Sequence, residues 1–162
     1  MYEVTPIGTI RTPFCEQAGT PIQPGYGDEA HGEAVLDPAF AAGLADLERF
    51  ERAWLVTWLH KSGDYKLRVV PYRDTRERGL FATRAPRRPN PIGISCVRVL
   101  GVEGNVLRFA GADMLDGTPL LDIKPYSPRF DAFPDARAGW LGDEAVDRRR
   151  ADGRFDEGPS GA

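Results

Sequence analysis

Glycine and proline fill 32 of the 162 positions, 18 and 14 respectively. This density of breakers limits the fold more than any other property of the chain. Proline removes a backbone donor and glycine adds chain entropy, so long helices are disfavoured and short strands joined by shaped turns are expected. A mainly β architecture follows. The length suits one domain with its own core and a tail. A hydrophobic share of 41% with 28% charged residues excludes wholesale disorder and a spanning membrane protein. The longest apolar stretch, residues 53–59, is too short to cross a bilayer as a helix.

Cys15 and Cys96 stand far apart, with no CxxC and no clustered histidines, so neither a disulfide framework nor a metal site is expected. The start, Met1-Tyr2-Glu3-Val4, lacks a basic segment followed by an apolar run, and a cytoplasmic location is expected.

Branched and aromatic residues predict strands over 4–11, 31–36, 53–60, 66–71, 79–83, 92–100 and 106–110. Asp37-Pro38 provides a cap and a first-turn proline for a helix running to about Phe50. Asp116-Gly117, between apolar residues, predicts a hairpin turn over 114–121. The spacing of Trp54 and Trp58 puts both on one strand face, read here as core. Phe130, Phe133, Trp140 and Leu141 are expected to pack over the body. The domain edge falls near 142, and residues 143–162, polar and glycine-rich, form a C-terminal tail expected to fray.

Charge is unevenly spread. Residues 1–53 hold three basic and nine acidic side chains, whereas 66–88 hold eight basic side chains against Asp74 and Glu77. Such a basic segment suits an anion or a phosphate backbone, or is simply a solvated loop. No GxSxG, Walker loop, HExxH or strand-linked GxGxxG occurs, so the hydrolase, P-loop, zincin and Rossmann readings lose support.

Three loops combine backbone-shaping and polar residues: 23–26, 84–93 (RAPRRPNPIG) and 113–126 (DMLDGTPLLDIKPY). Prolines beside Arg84, Arg87 and Arg88 lower the entropy lost when a guanidinium grips a carboxylate or phosphate. The same arginines would serve equally as partners of surface acids. His60 is a candidate proton relay or a satisfied structural histidine. Asp116 has a turn explanation, which leaves Asp113 and Asp122 as the better functional carboxylates.

The stretches IGTIRTPF, PIQPG, GLADLERFERAWLVTWLH, RGLFATRAPRRPNPIGISCVRVL and DMLDGTPLLDIKPYSPRFD resemble, in order, the TsaA-like family. That family includes the TrmO-type methyltransferases of tRNA N6-threonylcarbamoyladenosine, and the resemblance spans about residues 6–131. It implies a small, closed or nearly closed β-barrel that binds S-adenosyl-L-methionine, forms a homodimer and acts on the tRNA anticodon stem-loop. It also implies cofactor contacts from Pro24, Gly25, Tyr26, His60, Lys61, Arg84, Ile94, Ala110, Gly111, Ala112 and Asp113.

The acceptor nitrogen is conjugated and must lose its proton. His60 and then Asp113 are the candidate catalytic groups, with Arg84 orienting the reactants. Arg87, Arg88 and Lys124 would hold the threonyl carboxylate and phosphates, and Asn90 and Tyr126 would add hydrogen bonds or stacking. The alternatives are an S-adenosylmethionine-binding regulatory module and a methyltransferase of another small anionic acceptor.

Overall fold

The computed structural model describes residues 1–23, 30–142 and 150–155. Its strands are β1 (Gly8–Arg11), β2 (His31–Leu36), β3 (Arg52–Trp58), β4 (Arg68–Val69), β5 (Arg78–Gly79), β6 (Ile92–Glu103), β7 (Val106–Ala110) and β8 (Pro119–Pro125). Six of them close a barrel in the order β1-β2-β7-β6-β3-β8, while β4 and β5 form a separate ribbon. The mainly β expectation holds, and closure leaves the barrel without a free sheet edge. No helix among the described residues is long and apolar enough to cross a membrane.

Alternation along the strands builds the interior. Ile10, Leu55, Val97, Leu107, Phe109 and Leu120 are fully buried there, each such side chain contributing about 1.5–3 kcal/mol. Gly32 leaves room for the largest of them, since a Cβ at that position would lie 2.6 Å from the Phe109 ring. On β3 the inward set is Ala53, Leu55 and Thr57, and the tryptophans point outward, half-buried. Trp54 and Trp58 therefore share a face, but it is the outer one.

Other expectations change in detail. The first strand begins only at Gly8. The expected helix is two 3-10 segments, Pro38–Leu44 and Leu47–Arg49, with Asp46 between them at φ 69°. Asp37 does cap the first, accepting from Ala39 N at 3.0 Å. Of residues 79–83 only Gly79 pairs as strand, and Leu80–Ala82 turn as 3-10.

Asp116-Gly117 makes a turn, with Gly117 at φ +81°, but β8, which follows it, pairs with β1 and β3 and not with the preceding β7, so there is no hairpin. Asp116 reaches back to Thr12 N and pairs with Arg11 instead. Phe130 and Phe133 are exposed, not packed down, whereas Trp140 donates its indole N–H to Ala82 O at 2.7 Å.

The described part of the C-terminal segment, residues 150–155, returns to the body. Arg150 bridges Pro21, Ala151 exchanges backbone hydrogen bonds with Gly19 and Thr20, and Phe155 is buried with Tyr72, Leu80 and Ala85. The Tyr72 and Phe155 rings meet edge to face, 5.0 Å between centroids.

Candidate functional site

A cavity of about 340 Å³ opens at one end of the barrel, within the size range of small-molecule sites. Four regions bring polar groups to it. The exit of β3 carries Thr57, His60 and Lys61. The loop before β6 carries Arg84 and Arg88. The start of β6 presents Ile94 and Ser95, and the exit of β7 leads to Asp113. Thr20, Gln23, Tyr72 and Ala151 complete the wall from the outer shell.

Local chemistry fixes these segments. Gly111, at φ +89°, and Ala112 both donate to Ala30 O, at 3.0 and 3.1 Å, which turns the chain and aims Asp113 at the cavity. Leu59 N donates to Pro91 O at 2.7 Å, and Ser62 Oγ to Pro86 O at 2.9 Å, so the proline-rich loop is laced to the end of β3. Gly93 is required here, because a Cβ would come within 2.7 Å of Thr57 Oγ1 and 2.9 Å of Leu59.

The electrostatics centre on Asp113. Ser95, itself buried, donates its hydroxyl to Asp113 Oδ1 at 2.6 Å. Asp113 faces the cavity and is only half-buried by accessible surface, yet protein surrounds its carboxyl as densely as an interior group. The second property governs hydration, because water confined in a cavity solvates poorly. Burial therefore pushes the Asp113 carboxyl up to about 7, against the opposing effects of the Ser95 hydroxyl, a backbone N–H and the Arg84 charge.

His60, at the rim, is held below its ordinary 6.5, first by burial and then by the Lys61 charge, and is neutral near pH 7. Lys61 donates to Cys15 O at 3.2 Å, and Arg84 to Gln23 Oε1 at 2.5 Å.

The cavity thus gathers His60, Lys61, Arg84, Arg88, Ile94 and Asp113. Arg88, however, is turned to its own loop, with one guanidinium nitrogen donating to the carbonyls of Leu80, Thr83 and Ala85. Arg87 lies off the cavity and donates to Phe155 O at 2.8 Å. Ala110 and Ala112 are buried behind it and, with Gly111, position Asp113 through the backbone.

Asn90 is exposed, its carbonyl accepting from Ile92 N. Lys124 and Tyr126 lie at the far end of β8, Lys124 paired with Asp122 at 3.1 Å and Tyr126 against the Trp54 ring. Pro24, Gly25 and Tyr26 lie outside the described residues. Sequence reasoning missed Ser95, Thr57, Tyr72 and Ala151. For Ser95 the one available signal was a hydroxyl at an inward position of an otherwise apolar strand.

Among its described residues the wall is largely apolar and holds three basic side chains, Lys61, Arg84 and Arg88, and one carboxylate, Asp113, so it suits a nucleoside cofactor whose positive centre meets that carboxylate. The sequence profile of the tRNA-methyltransferase O N-terminal domain matches residues 9–132. The chain is 46% identical over 152 residues to a probable S-adenosyl-L-methionine-binding protein of Pyrococcus abyssi, covering 93% of this chain and 83% of that protein. It is 36% identical to the tRNA (adenine(37)-N6)-methyltransferase of Escherichia coli, over 86% of this chain and 63% of that protein. The crystal structure of TrmO from Pseudomonas aeruginosa superposes with a TM-score of 0.73 at 42% identity, over 86% of this chain and 62% of that one. The chain thus spans about three-fifths of the length of these bacterial relatives.

Proposed function

The chain belongs to the tRNA-methyltransferase O N-terminal domain family, and from that membership we propose that it methylates N6 of threonylcarbamoyladenosine beside the anticodon of tRNA, using S-adenosylmethionine. The observation that supports this is the meeting of His60, Lys61, Arg84, Ile94 and Asp113, spread over more than fifty positions of sequence, on one cavity. The cofactor supplies an electrophilic methyl group on a sulfonium. The protein's share is alignment in a largely dry site and removal of one proton from the acceptor nitrogen.

His60 is proposed to take that proton. It stands at the rim and is neutral near pH 7 because burial and Lys61 hold its pKa down, so its lone pair is available. Asp113 lies deeper, held by Ser95. Arg84 at the rim orients the acceptor, and Lys66, Arg76 and Arg84, all exposed, offer positive charge to RNA phosphates.

A homodimer belongs to the same proposal. The outward pairs Val56 with Ile94 and Trp58 with Ile92 form an apolar strip that runs into the cavity mouth through Ile92 and Ile94, which are 44% and 49% exposed. A cytoplasmic location follows from a tRNA substrate.

The test is mass spectrometry of nucleosides from tRNA incubated with the protein and cofactor. A gain of one methyl on threonylcarbamoyladenosine is expected, and His60→Ala should lower the single-turnover rate at saturating cofactor by about 10²–10⁴-fold. Confirmed cofactor binding without any methyl gain would overturn the enzymatic role and leave a binding module. Light scattering of Val56→Glu, which adds a charge to the strip outside the cavity lining and is expected to be monomeric, tests the dimer.

A further inference from the structure

Asp113 is the only carboxylate among the described residues that line the cavity. The charged or titratable groups facing it are His60 and Lys61 from the end of β3, Arg84 and Arg88 from the proline-rich loop, and Tyr72 from the outer shell. All the charged ones are basic. The described part of the wall, so biased, repels a cationic ligand unless Asp113 is ionised, and Ser95 holds that acid in one orientation through a 2.6 Å hydrogen bond.

We propose that Asp113, aimed by Ser95, is the counter-charge that the described cavity wall offers the sulfonium cofactor, and that it lets the protein distinguish this cation from the demethylated thioether left after transfer. The inference rests on the cavity being the S-adenosylmethionine site and adds to it the basis of discrimination between cofactor and product. The two ligands differ by a methyl group and one positive charge. A methyl group alone discriminates weakly, whereas a charge beside a confined carboxylate interacts strongly.

The proton balance is simple. In the empty cavity near neutral pH part of the population carries a proton on Asp113, because burial disfavours the anion. When a cation enters, the carboxyl O–H bond breaks and the proton passes to solvent buffer, while Ser95 keeps its own hydrogen and donates it to the anion formed. Only the ionised population binds the cation well, so apparent affinity scales with its fraction. For a neutral thioether, ionising Asp113 brings no gain. Cofactor binding therefore strengthens as pH rises, and product binding does not. Ser95 is a positioning residue, since it acts on the ligand only through Asp113.

Calorimetry with S-adenosylmethionine and S-adenosylhomocysteine tests this, run in buffers of differing ionisation enthalpy. Between about pH 6 and about pH 8 the ionised fraction of a group titrating near 7 rises about tenfold, and the cofactor's affinity should rise with it, with proton release. S-adenosylhomocysteine should change less than about twofold over the same range. Asp113→Asn, nearly isosteric, should remove most of the pH dependence and most of the preference for the cation, and Asp74→Asn, outside the cavity lining, should keep both.

A carboxyl ¹³C titration of aspartate-labelled protein, with the Asp113 signal identified by its loss in Asp113→Asn, gives a readout without ligand. Ser95→Ala should move that titration upward and Ser95→Thr should restore it. Cofactor binding that keeps its pH dependence in Asp113→Asn, or an Asp113 titration indifferent to Ser95→Ala, overturns the inference and leaves the cofactor site standing. Failure of both nucleosides to bind at every pH sinks the cofactor site itself, and the inference with it.

Discussion

Two carboxylates in this molecule meet opposite fates. Asp74, in the outer shell between β4 and β5, accepts from Thr75 N at 2.7 Å, from Arg76 N at 3.1 Å and from Arg78 Nε at 2.5 Å. The Arg78 hydrogen bond, ahead of the other contributions, holds its carboxyl below the ordinary range. Asp113, in the cavity wall, has one hydroxyl at 2.6 Å and is pushed up to about 7.

The same contrast divides the arginines. Arg87 and Arg88 are turned to backbone carbonyls, and Arg84, three residues away, donates to the side chain of Gln23 at the cavity rim. The outer shell spends its charges on itself, whereas the cavity keeps some under-compensated. A ligand that brings the missing partner gains from that difference.

The sharpest way to break the contrast is to neutralise each acid and follow stability against pH. Asp113 is raised, so between about 4 and about 7 the folded state holds a proton that the unfolded state has released, and stability falls as pH rises through that window. Asp113→Asn should therefore be more stable than the parent above pH 7, by at most about 4 kcal/mol for a shift from 3.8 to about 7, with the two converging in acid.

Asp74 is lowered, so its stabilisation is present above the ordinary carboxylate range and lost as pH falls through its depressed value. Asp74→Asn should lose stability near neutrality and leave cofactor affinity unaltered. Urea midpoints across the pH range check both. Parallel slopes in the two variants would erase the contrast.

Much of the frame could be read from residues alone. β7 falls at 106–110 as its alternating Val106, Leu107 and Phe109 suggest, and β2 at 31–36. The tryptophans were misplaced for a physical reason. Both faces of β3 are apolar, so alternation offers no contrast, and the interior of a six-stranded barrel is narrow enough to take Ala53, Leu55 and Thr57 and reject the rings of Trp54 and Trp58. The apparent strand at 79–83 failed because Thr83 Oγ1 and Arg88 capture the Leu80 carbonyl, closing a turn that propensity does not encode.

His60 and Arg84 stood out by residue type and setting. Ser95 did not, since a serine beside Cys96 in an apolar strand means little until Asp113, 18 residues on, is seen opposite it. The packing of Phe155 was hidden for a related reason: one aromatic in a charged, glycine-rich stretch carries no periodicity.

A smaller effect comes from filling the cavity wall. Gly93→Ala would drive a methyl into Thr57 Oγ1 and Leu59. Overpacking of this kind costs about 1–3 kcal/mol, and because Leu59 leads directly to His60, methyl transfer should fall along with stability. Gly79→Ala, where a Cβ meets nothing within 4 Å, is the matched control in the outer shell. Thermal melts and single-turnover rates on both variants separate the two regions.

The finest division lies within one loop, between Arg84 and Arg87. Arg87→Ala removes a charged donor from Phe155 O, which should cost about 1 kcal/mol and loosen residues 150–155. Arg84→Ala removes an exposed contact to Gln23, and stability should stay within about 0.5 kcal/mol. If the two regions differ as argued, ligand binding reverses this order: Arg84→Ala should weaken tRNA binding and lower its salt dependence, because a charge aimed at solvent is available to a phosphate. Arg87→Ala should leave the salt slope nearly untouched, its guanidinium being held by the outer shell. Equal salt slopes for the two variants would mean that the prolines present both arginines to the same partner, and that the boundary between shell and cavity does not run through this loop.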